Sequence, residues 1–205
     1  MPNWEIVFAR VGRASAAVSG TRREYSDMML VLYWEGSLYA AMSDLNDSVV
    51  CTIASPMRGE VCPLEEVPDP AFSRHIIGDG VAIIPDDSEV LSPADGRIVS
   101  VFETKHAIIF EKENNIRILL HVGIGSMRLQ GQGFTSFVDN GQEVKSGDKL
   151  LSVDINYVEK RADALASPIV LTSPQNTYRV NVVAKGHIEV GDPLFEVVAL
   201  TDEEE

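Results

Sequence analysis

The sequence predicts an all-β fold: an antiparallel β-sandwich or barrel-sandwich hybrid with internal duplication and one or two short helical turns. Three observations predict it. From about Ser48 onward, short segments of alternating polar and apolar residues recur roughly every ten residues. Gly, Pro, Asp and Asn separate these segments, which is typical of sandwiches and barrels. Two sequence patterns also occur twice, which indicates a sheet built from related halves.

Apolar alternation and β-branched residues mark the predicted strands. They are SVVCTIA (48–54), GVAIIP (80–85), GRIVSVFE (96–103), HAIIFE (106–111), IRILLHV (116–122), KLLSVD (149–154), IVLTS (169–173), YRVNVVA (178–184) and LFEVVAL (194–200). Two stretches are predicted to be helical: a turn near Pro70–His75 and the segment 156–166.

The repeated patterns are both turn motifs. SPMRG at 55–59 returns as SPADG at 92–96, and each precedes an alternating segment. The second pattern runs from 144 to 150 and returns from 188 to 194, with a Gly-Asp pair at its centre. A Gly-Asp pair before a strand predicts a tight turn rather than catalysis. The triplet Gly78-Asp79-Gly80 is likewise predicted to form a hairpin turn, since no helix follows it to bind a phosphate.

Composition limits the function classes. The chain has 205 residues, 45% of them hydrophobic, so one domain of about 150 residues with an appendage is expected. The formal net charge of −14 argues against nucleic acid and anionic lipid as partners, because both require a basic surface. A basic protein partner is favoured instead. Cys51 and Cys62 fit neither a disulfide framework nor a metal site, so we expect a reducing compartment, the cytoplasm.

Three regions follow from this. Residues 1–46 are predicted to be a poorly ordered N-terminal extension, or to precede the true start at Met28 or Met42. The apolar run MMLVLYW ends at Glu35 and is too short to span a bilayer, so no transmembrane segment is expected. Residues 47–200 are predicted to be the folded domain, and residues 201–205 an acidic tail.

His106 and His121 lie on two predicted strands joined by a polar turn. A loop centred between Glu113 and Asn114 would make the two histidines direct cross-strand partners on one face of the sheet. Four interpretations are open: two satisfied structural histidines, a metal site, a general acid–base pair, or a histidine nucleophile with a helper. No Cys or His at suitable spacing supplies further metal ligands. A nucleophile fits better, since one neutral imidazole can take up a group covalently while the other donates a hydrogen bond to it.

The sequence resembles the glucose family of enzyme IIA domains of the bacterial phosphoenolpyruvate-dependent sugar phosphotransferase system. The resemblance covers about Ser48 to Ala199. It rests on the motifs SPMRGEV, EVPDPAF, IIGDGVAIIP, SPADGRIVSVFETKHA, LLHVGI, LQGQGF and GQEVKSGD. The joint occurrence of FETKHA and LLHVGI at this separation is its most specific part.

The resemblance implies a β-sandwich and a role for each site residue. His121 would accept a phosphoryl group from HPr and pass it to a cysteine of a IIB domain, His106 would stabilise the phosphate, and Thr104 would orient the pair. No cofactor and no intrinsic metal are implied, although the two histidines of relatives can share zinc with a carboxylate of a partner. The implied partner-binding residues are Asp69, Phe72, Ile77, Phe102, Leu119 and Met127.

Some expectations from the resemblance stay open. Gly125 stands where the family usually has an acidic residue, which removes one expected contact with arginines of a partner. A regulatory role, in which the same face binds transporters or kinases, is compatible with the carrier role. A zinc-dependent hydrolase on the same scaffold is the other alternative. We expect a monomer, and the sequence does not specify the sugar.

Overall fold

The structure is a computed structural model. It describes residues 48–173 and 177–200 in full, and within residues 5–41 it describes the backbone of five strands. The chain divides into two compact units, Met1–Asn46 and Asp47–Glu205. The predicted acidic tail, 201–205, lies outside the described residues.

The first unit contains two antiparallel sheets, with strand orders β1-β4-β5 and β2-β3. Its strands are β1 (Glu5–Val7), β2 (Ala14–Val18), β3 (Thr21–Tyr25), β4 (Leu30–Trp34) and β5 (Ser37–Ala41). The expectation that residues 1–46 form a poorly ordered extension, or precede the true start, stays a prediction.

The second unit is built almost entirely of short strands, and all nine predicted strands are present. The strands are β6 (Val49–Ala54), β7 (Gly59–Cys62), β8 (Asp79–Pro85), β9 (Glu89–Leu91), β10 (Gly96–Val101), β11 (Ala107–Lys112), β12 (Ile116–His121), β13 (Phe134–Ser136), β14 (Glu143–Val144), β15 (Lys149–Val153), β16 (Ser167–Leu171), β17 (Tyr178–Val182), β18 (His187–Ile188) and β19 (Pro193–Ala199). The helices are α1 (Pro70–Ser73) and α2 (Ile155–Glu159), with 3-10 turns at Leu64–Glu66, Glu113–Asn115 and Ser126–Leu129.

The sheets of this unit are antiparallel. One has the order β14-β10-β11-β12-β16-β8-β7-β18, and the two others have the orders β13-β15-β9 and β17-β19-β6. Each strand pair in them is antiparallel. This confirms the predicted antiparallel all-β class.

The strand order contains the predicted duplication. Read outward from the central pair β12 and β16, the large sheet runs β11, β10, β14 on one side and β8, β7, β18 on the other. The two three-stranded sheets correspond in the same way. One copy therefore consists of β9 to β15, and it is inserted in the chain between β8 and β16 of the other copy.

The hydrogen bonds repeat along with the strands. In one copy the Ser55 N–H donates to the Asp192 carbonyl at 2.8 Å, and the Gly191 N–H donates to the Ser55 carbonyl at 3.0 Å. In the other copy Ser92 makes the same two bonds with the turn 147–148, at 2.8 and 2.9 Å. The hydroxyl groups of both serines donate to the carbonyl two residues on. The two sequence patterns are therefore partners within each copy.

Strand alternation divides the apolar residues of the large sheet between its two faces. Ile118 and Leu120 of β12 belong to the main core, whereas Leu119 between them belongs to a smaller cluster. Leu64 and Phe72, from the connection between β7 and β8, cover this smaller cluster. That connection therefore forms a layer over the second face of the sheet.

The helices are shorter than predicted. Asp69 caps α1 by accepting a hydrogen bond from the Ala71 N–H at 2.8 Å, and a proline follows the cap, which is a favoured start. The predicted helix 156–166 is wrong beyond Glu159. The N–H of Asp163 donates to the Ile124 carbonyl instead of continuing the helix. Within the described residues, no helix has the length and apolar composition needed to cross a bilayer.

The predicted hairpin turn at Gly78-Asp79-Gly80 is also wrong. Asp79 and Gly80 begin β8, and Gly80 pairs with Val170 of β16. A Cβ at Gly78 or Gly80 would collide with a carbonyl oxygen of β16. Glycine is needed here because two backbones approach closely, a use that the sequence does not distinguish from a turn.

Candidate functional site

The two histidines come together at one end of the hairpin formed by β11 and β12. His121 is the last residue of β12 and lies directly opposite Ala107, so the predicted register is wrong by one residue. The loop contains three residues, 113–115, and Asn114 and Asn115 both adopt left-handed conformations in it. The Asn preference for this conformation accounts for the longer loop.

His106 still reaches His121 because it precedes the strand. Lys105 has a positive φ of 54°, which bends the chain before β11 begins. The carbonyl of His106 accepts a hydrogen bond from Val122 N–H at 2.8 Å, so the backbones are joined at this point. The imidazole centroids are 4.9 Å apart and the rings are nearly perpendicular, at 84°.

Thr104 lies against His106. Its Oγ1 is 2.6 Å from Nδ1 of His106, within hydrogen-bonding distance. Because one nitrogen of His106 is occupied in this way, the tautomer of the ring is coupled to the hydroxyl. The sequence prediction that Thr104 and the two histidines lie together therefore agrees with their positions.

Burial dominates the electrostatics of the pair. It lowers the pKa of His121 from 6.5 to about 4, with His106 acting in the same direction and the Asp69 carboxylate acting against it. Burial also lowers the pKa of His106, which is 4% exposed. Both rings are therefore neutral at pH 7, as a nitrogen nucleophile must be.

The two nitrogens of His121 differ in their surroundings. Nδ1 is the one buried side-chain nitrogen or oxygen without a hydrogen-bond partner in the described part of the chain. His121 as a whole is partly exposed although its Nδ1 is enclosed, so Nε2 is the nitrogen that remains for contact with a partner.

Aromatic rings border the pair on two sides. Phe72 from α1 meets His121 edge-on with centroids 5.3 Å apart, and Phe102 meets His106 edge-on at 5.5 Å. Phe72 is 3% exposed and Leu119 is 8% exposed, so these two form the floor of the face rather than its rim.

The rim is apolar and accessible. Ile77 and Phe102 are more than a third exposed and Met127 is 61% exposed. The sequence analysis missed Ile76, which is 71% exposed and lies beside Ile77. The sequence signal for this exposure was the pair of adjacent isoleucines between a helix and a strand, because both side chains cannot be buried in one core. An exposed apolar group of this kind is typical of a protein-docking surface.

A fixed ion pair lies beside the loop after His121. Nη2 of Arg128 contacts Oδ1 of Asp163 at 2.5 Å, and both side chains are more than half exposed. Gly125 has a φ of 73°, and a Cβ on it would collide with this carboxylate. The left-handed φ favours glycine at the position where the family pattern usually has an acidic residue, and the Asp163 carboxylate occupies the space that a side chain there would enter.

The described residues offer no ready-made metal site. No group of three or more His, Cys, Asp and Glu side chains comes together among them in a way that would hold a metal ion. His106 and His121 could supply two ligands, and a stable zinc site needs at least one more protein ligand. The arrangement favours nucleophilic chemistry at a nitrogen.

Comparison with known proteins identifies the family. The model of the phosphoenolpyruvate-dependent sugar phosphotransferase system EIIA 1 family matches residues 51–178, a range that includes Thr104, His106 and His121. A PTS system glucose-specific EIIA component of Oceanobacillus iheyensis is 45% identical over 141 residues, covering 69% of this chain and 86% of that protein. The component of the same name from Bacillus cereus is 47% identical over 122 residues, covering 60% and 74%.

A solved structure agrees with these relatives. The glucose permease IIA of Mycoplasma capricolum superposes with a TM-score of 0.68 and 35% identity, covering 72% of this chain and 94% of that one. The carrier interpretation is therefore supported and the zinc hydrolase is not favoured. The chain belongs to the EIIA 1 family of the phosphoenolpyruvate-dependent sugar phosphotransferase system and is a phosphocarrier of that system.

Proposed function

We propose that His121 carries the phosphoryl group, receiving it from phospho-HPr and passing it to a cysteine of a IIB domain. The observation that carries this proposal is the unequal burial of the two nitrogens of His121. Nδ1 is enclosed although His121 as a whole is partly exposed, which leaves Nε2 as the nitrogen open to a partner. A ring presented in this way can react with a docked protein at one nitrogen only.

Acceptance of the group is a simple exchange of bonds. The lone pair of Nε2 forms a new N–P bond while the N–P bond to the donor histidine breaks, and its electrons return to the donor ring. The proton of the neutral acceptor ring must therefore reside on Nδ1. Phosphoryl transfer of this kind requires in-line positioning and electrostatic support more than covalent assistance.

His106 supplies that support in the proposal. When the hydroxyl of Thr104 donates to Nδ1 of His106, the proton of the neutral His106 ring lies on Nε2. That N–H is then available to the equatorial oxygens of the phosphoryl group. A donor fixed in a water-poor site stabilises developing charge more strongly than one in water.

The low pKa of His121 favours release. A phosphoryl group leaves more readily from a weakly basic nitrogen, and burial lowers the pKa of His121 to about 4. A buried positive ring is also costly, so the site does not hold the phosphorylated state strongly. Ready acceptance and ready release are both needed in a relay.

The exposed apolar rim suits a protein partner rather than a free sugar. Ile76, Ile77, Phe102 and Met127 are accessible, and burying them removes apolar surface from water. Small-molecule sites are instead concave and enclose their ligand. We infer that HPr and the IIB domain dock on this face in turn, and that the cell compartment is the cytoplasm.

We assign glucose as the sugar of the downstream permease because the curated relatives are named glucose-specific. The regulatory role and the monomeric state remain predictions, since no contact in the structure bears on them.

The test is phosphorylation with phosphoenolpyruvate, enzyme I and HPr, followed by addition of a IIB domain. His121→Ala should take up no label above background, because the acceptor nitrogen is lost. His106→Ala should accept label from HPr and pass it on at least about a hundred-fold more slowly. Acid-labile, base-stable label is the expected signature of a phosphohistidine.

His187→Ala is the matched control. His187 is exposed and pairs with Asp86 at 2.8 Å, in the framework rather than at the site. This variant should be labelled like the wild type. Labelling of His121→Ala at the normal rate would remove the assignment, and equal loss of acceptance in both site variants would contradict the separate roles.

A further inference from the structure

Every backbone N–H and carbonyl of the three residues after His121 lies within hydrogen-bonding distance of a partner. Val122 N–H donates to the His106 carbonyl, and Ile124 exchanges two bonds of 2.8 Å with Asp163 and Ala164. The remaining three groups are bonded to side chains rather than to backbone. These bonds lie in the segment that directly follows the candidate phosphoryl acceptor.

Two buried serines supply those three bonds. The single hydroxyl proton of Ser126 is shared between the carbonyls of Val122 and Gly123, whose oxygens lie 2.6 and 2.7 Å from Oγ. Oγ of Ser167 accepts from Gly123 N–H at 3.2 Å and donates its own proton to the Leu165 carbonyl at 2.7 Å. Both serines are 0% exposed.

The Gly123 peptide is thus held from both sides, by Ser167 at its N–H and by Ser126 at its carbonyl. Gly123 has a φ of 69°, and a built Cβ would lie 3.1 Å from Cγ1 of Val158, so the segment is also enclosed by packing. These bonds and this packing restrict the conformations open to the segment.

The imidazole of His121 has no such bond of its own. Its Nδ1 is buried without a partner, and its neighbours Phe72 and His106 make edge-on ring contacts. Ring contacts of this kind fix an angle less strictly than a hydrogen bond does. The direction of Nε2 therefore depends on the backbone to which the ring is attached.

We propose that Ser126 and Ser167 are positioning residues for the phosphoryl acceptor. They fix the peptide of Gly123 and thereby the direction of the His121 ring, although neither touches the phosphoryl group. The inference depends on the proposed function only in that His121 is the acceptor. Its effect is on geometry, and misplacement of a reacting atom by about 1 Å can cost a hundred-fold in rate.

The test compares these serines with equally buried ones elsewhere. Ser126→Ala and Ser167→Ala are matched by Ser55→Ala and Ser92→Ala, whose hydroxyl groups also donate to backbone carbonyls, at 2.6 and 2.8 Å. All four variants lose one buried hydroxyl, so their unfolding midpoints should fall by similar amounts. Only the first two should change the site.

Two readouts separate positioning from stability. The first is an NMR titration of the His121 ring in the unphosphorylated protein, in which its titration midpoint should move upward as the looser loop admits water. The second is the rate of phosphorylation by phospho-HPr, which should fall about ten-fold in Ser126→Ala and Ser167→Ala. Ser126→Thr keeps the hydroxyl and should restore both.

The inference is overturned if Ser126→Ala and Ser167→Ala match their controls in both readouts. If Ser126→Ala does not fold, Ser126→Cys takes its place, because cysteine keeps most of the volume without a strong hydrogen-bond donor. Its two readouts are then compared with those of the same control variants. The titration uses no phosphoryl donor, so it distinguishes the two proposals. Absence of label on wild-type His121 would end the proposed function, whereas a moved titration midpoint would still show that the two serines fix the His121 ring.

Discussion

The two copies within the carrier unit share a framework and differ in what they attach to it. In one copy, residues 63–78 connect β7 to β8, and they contain α1. In the other, only residues 102–106 connect β10 to β11. The turns, serine bonds and strand orders correspond, whereas these two connections do not. The common framework specifies the fold, and the unequal connections carry the site.

The site needs both connections. The short one contributes Phe102, Thr104 and His106, and the long one contributes Phe72, whose ring edge meets His121 at 5.3 Å. His121 itself ends β12, and β16, its counterpart in the other copy, is buried throughout and ends in leucine. Among the described residues, the strand end that carries a histidine in one copy therefore carries a buried leucine in the other.

The largest expected effect concerns the framework of the outer copy, where β8 pairs with β16. Gly80→Ala would force a Cβ against the Ile169 carbonyl of β16, so β8 and β16 would have to separate. We expect a loss of about 3 kcal/mol in the free energy of unfolding. Urea denaturation measures it.

Gly141→Ala is the control for that change. Gly141 has a φ of 81° and open space around its Cβ position, so it has backbone strain without a collision. It should lose less stability than Gly80→Ala. Equal losses would mean that the close approach of β8 and β16 is not what requires glycine at position 80.

The next effect concerns the site that the connections surround, and it is measured through the pH dependence of stability. The pKa of His121 is about 4 in the folded protein and 6.5 in its ordinary state, so between these values the unfolded chain binds the additional proton. The stability that neutral His121 contributes is therefore present above pH 6.5 and is lost as the pH falls toward 4. This group should contribute a loss of about 2 kcal/mol between pH 7 and pH 5.

His121→Gln isolates this contribution because it keeps a polar side chain that does not titrate. The difference between wild type and variant, measured by urea denaturation at both pH values, should shrink or reverse at pH 5. A difference that does not depend on pH would show that the histidine is not held neutral by folding.

The smallest effect tests the equivalence of the copies. Gly147 and Gly191 have φ values of 86° and 88°, and neither has an atom near its Cβ position. Replacing either by Ala should cost about 1 kcal/mol, from the left-handed conformation alone. Asn tolerates that conformation better, so Gly147→Asn and Gly191→Asn should cost less. Clearly unequal losses of stability for the two Ala variants would show that the two turns are not equivalent, and that the copies correspond in strand order only.

The framework was the more predictable part of the molecule. Apolar alternation and β-branched residues together marked the nine longer strands of the carrier unit, including β16, which is buried throughout. The strands β14 and β18 contain two residues each, too few for a periodic signal. The predicted helix continued past Glu159 because local propensity does not include the tertiary bonds of Asp163.

The sequence predicted which residues lie together at the site better than it predicted their geometry. Thr104, His106 and His121 lie together as expected, but the register differs by one residue because two asparagines lengthen the hairpin loop. The burial of Phe72 and the exposure of Ile76 depend on how the connection 63–78 packs. That packing is tertiary, and no periodic signal in the sequence encodes it.

The insertion of one copy within the other has a consequence for the ends of the unit. Its first and last strands, β6 and β19, are neighbours in one sheet, with Val49 opposite Val198. The Ala199 N–H donates to the Ser48 carbonyl at 3.1 Å. The first and last strands of the unit therefore bring its two ends close together, so a short linker between them would cyclise it. By the same geometry, it would fit as a cassette within a surface loop of another protein.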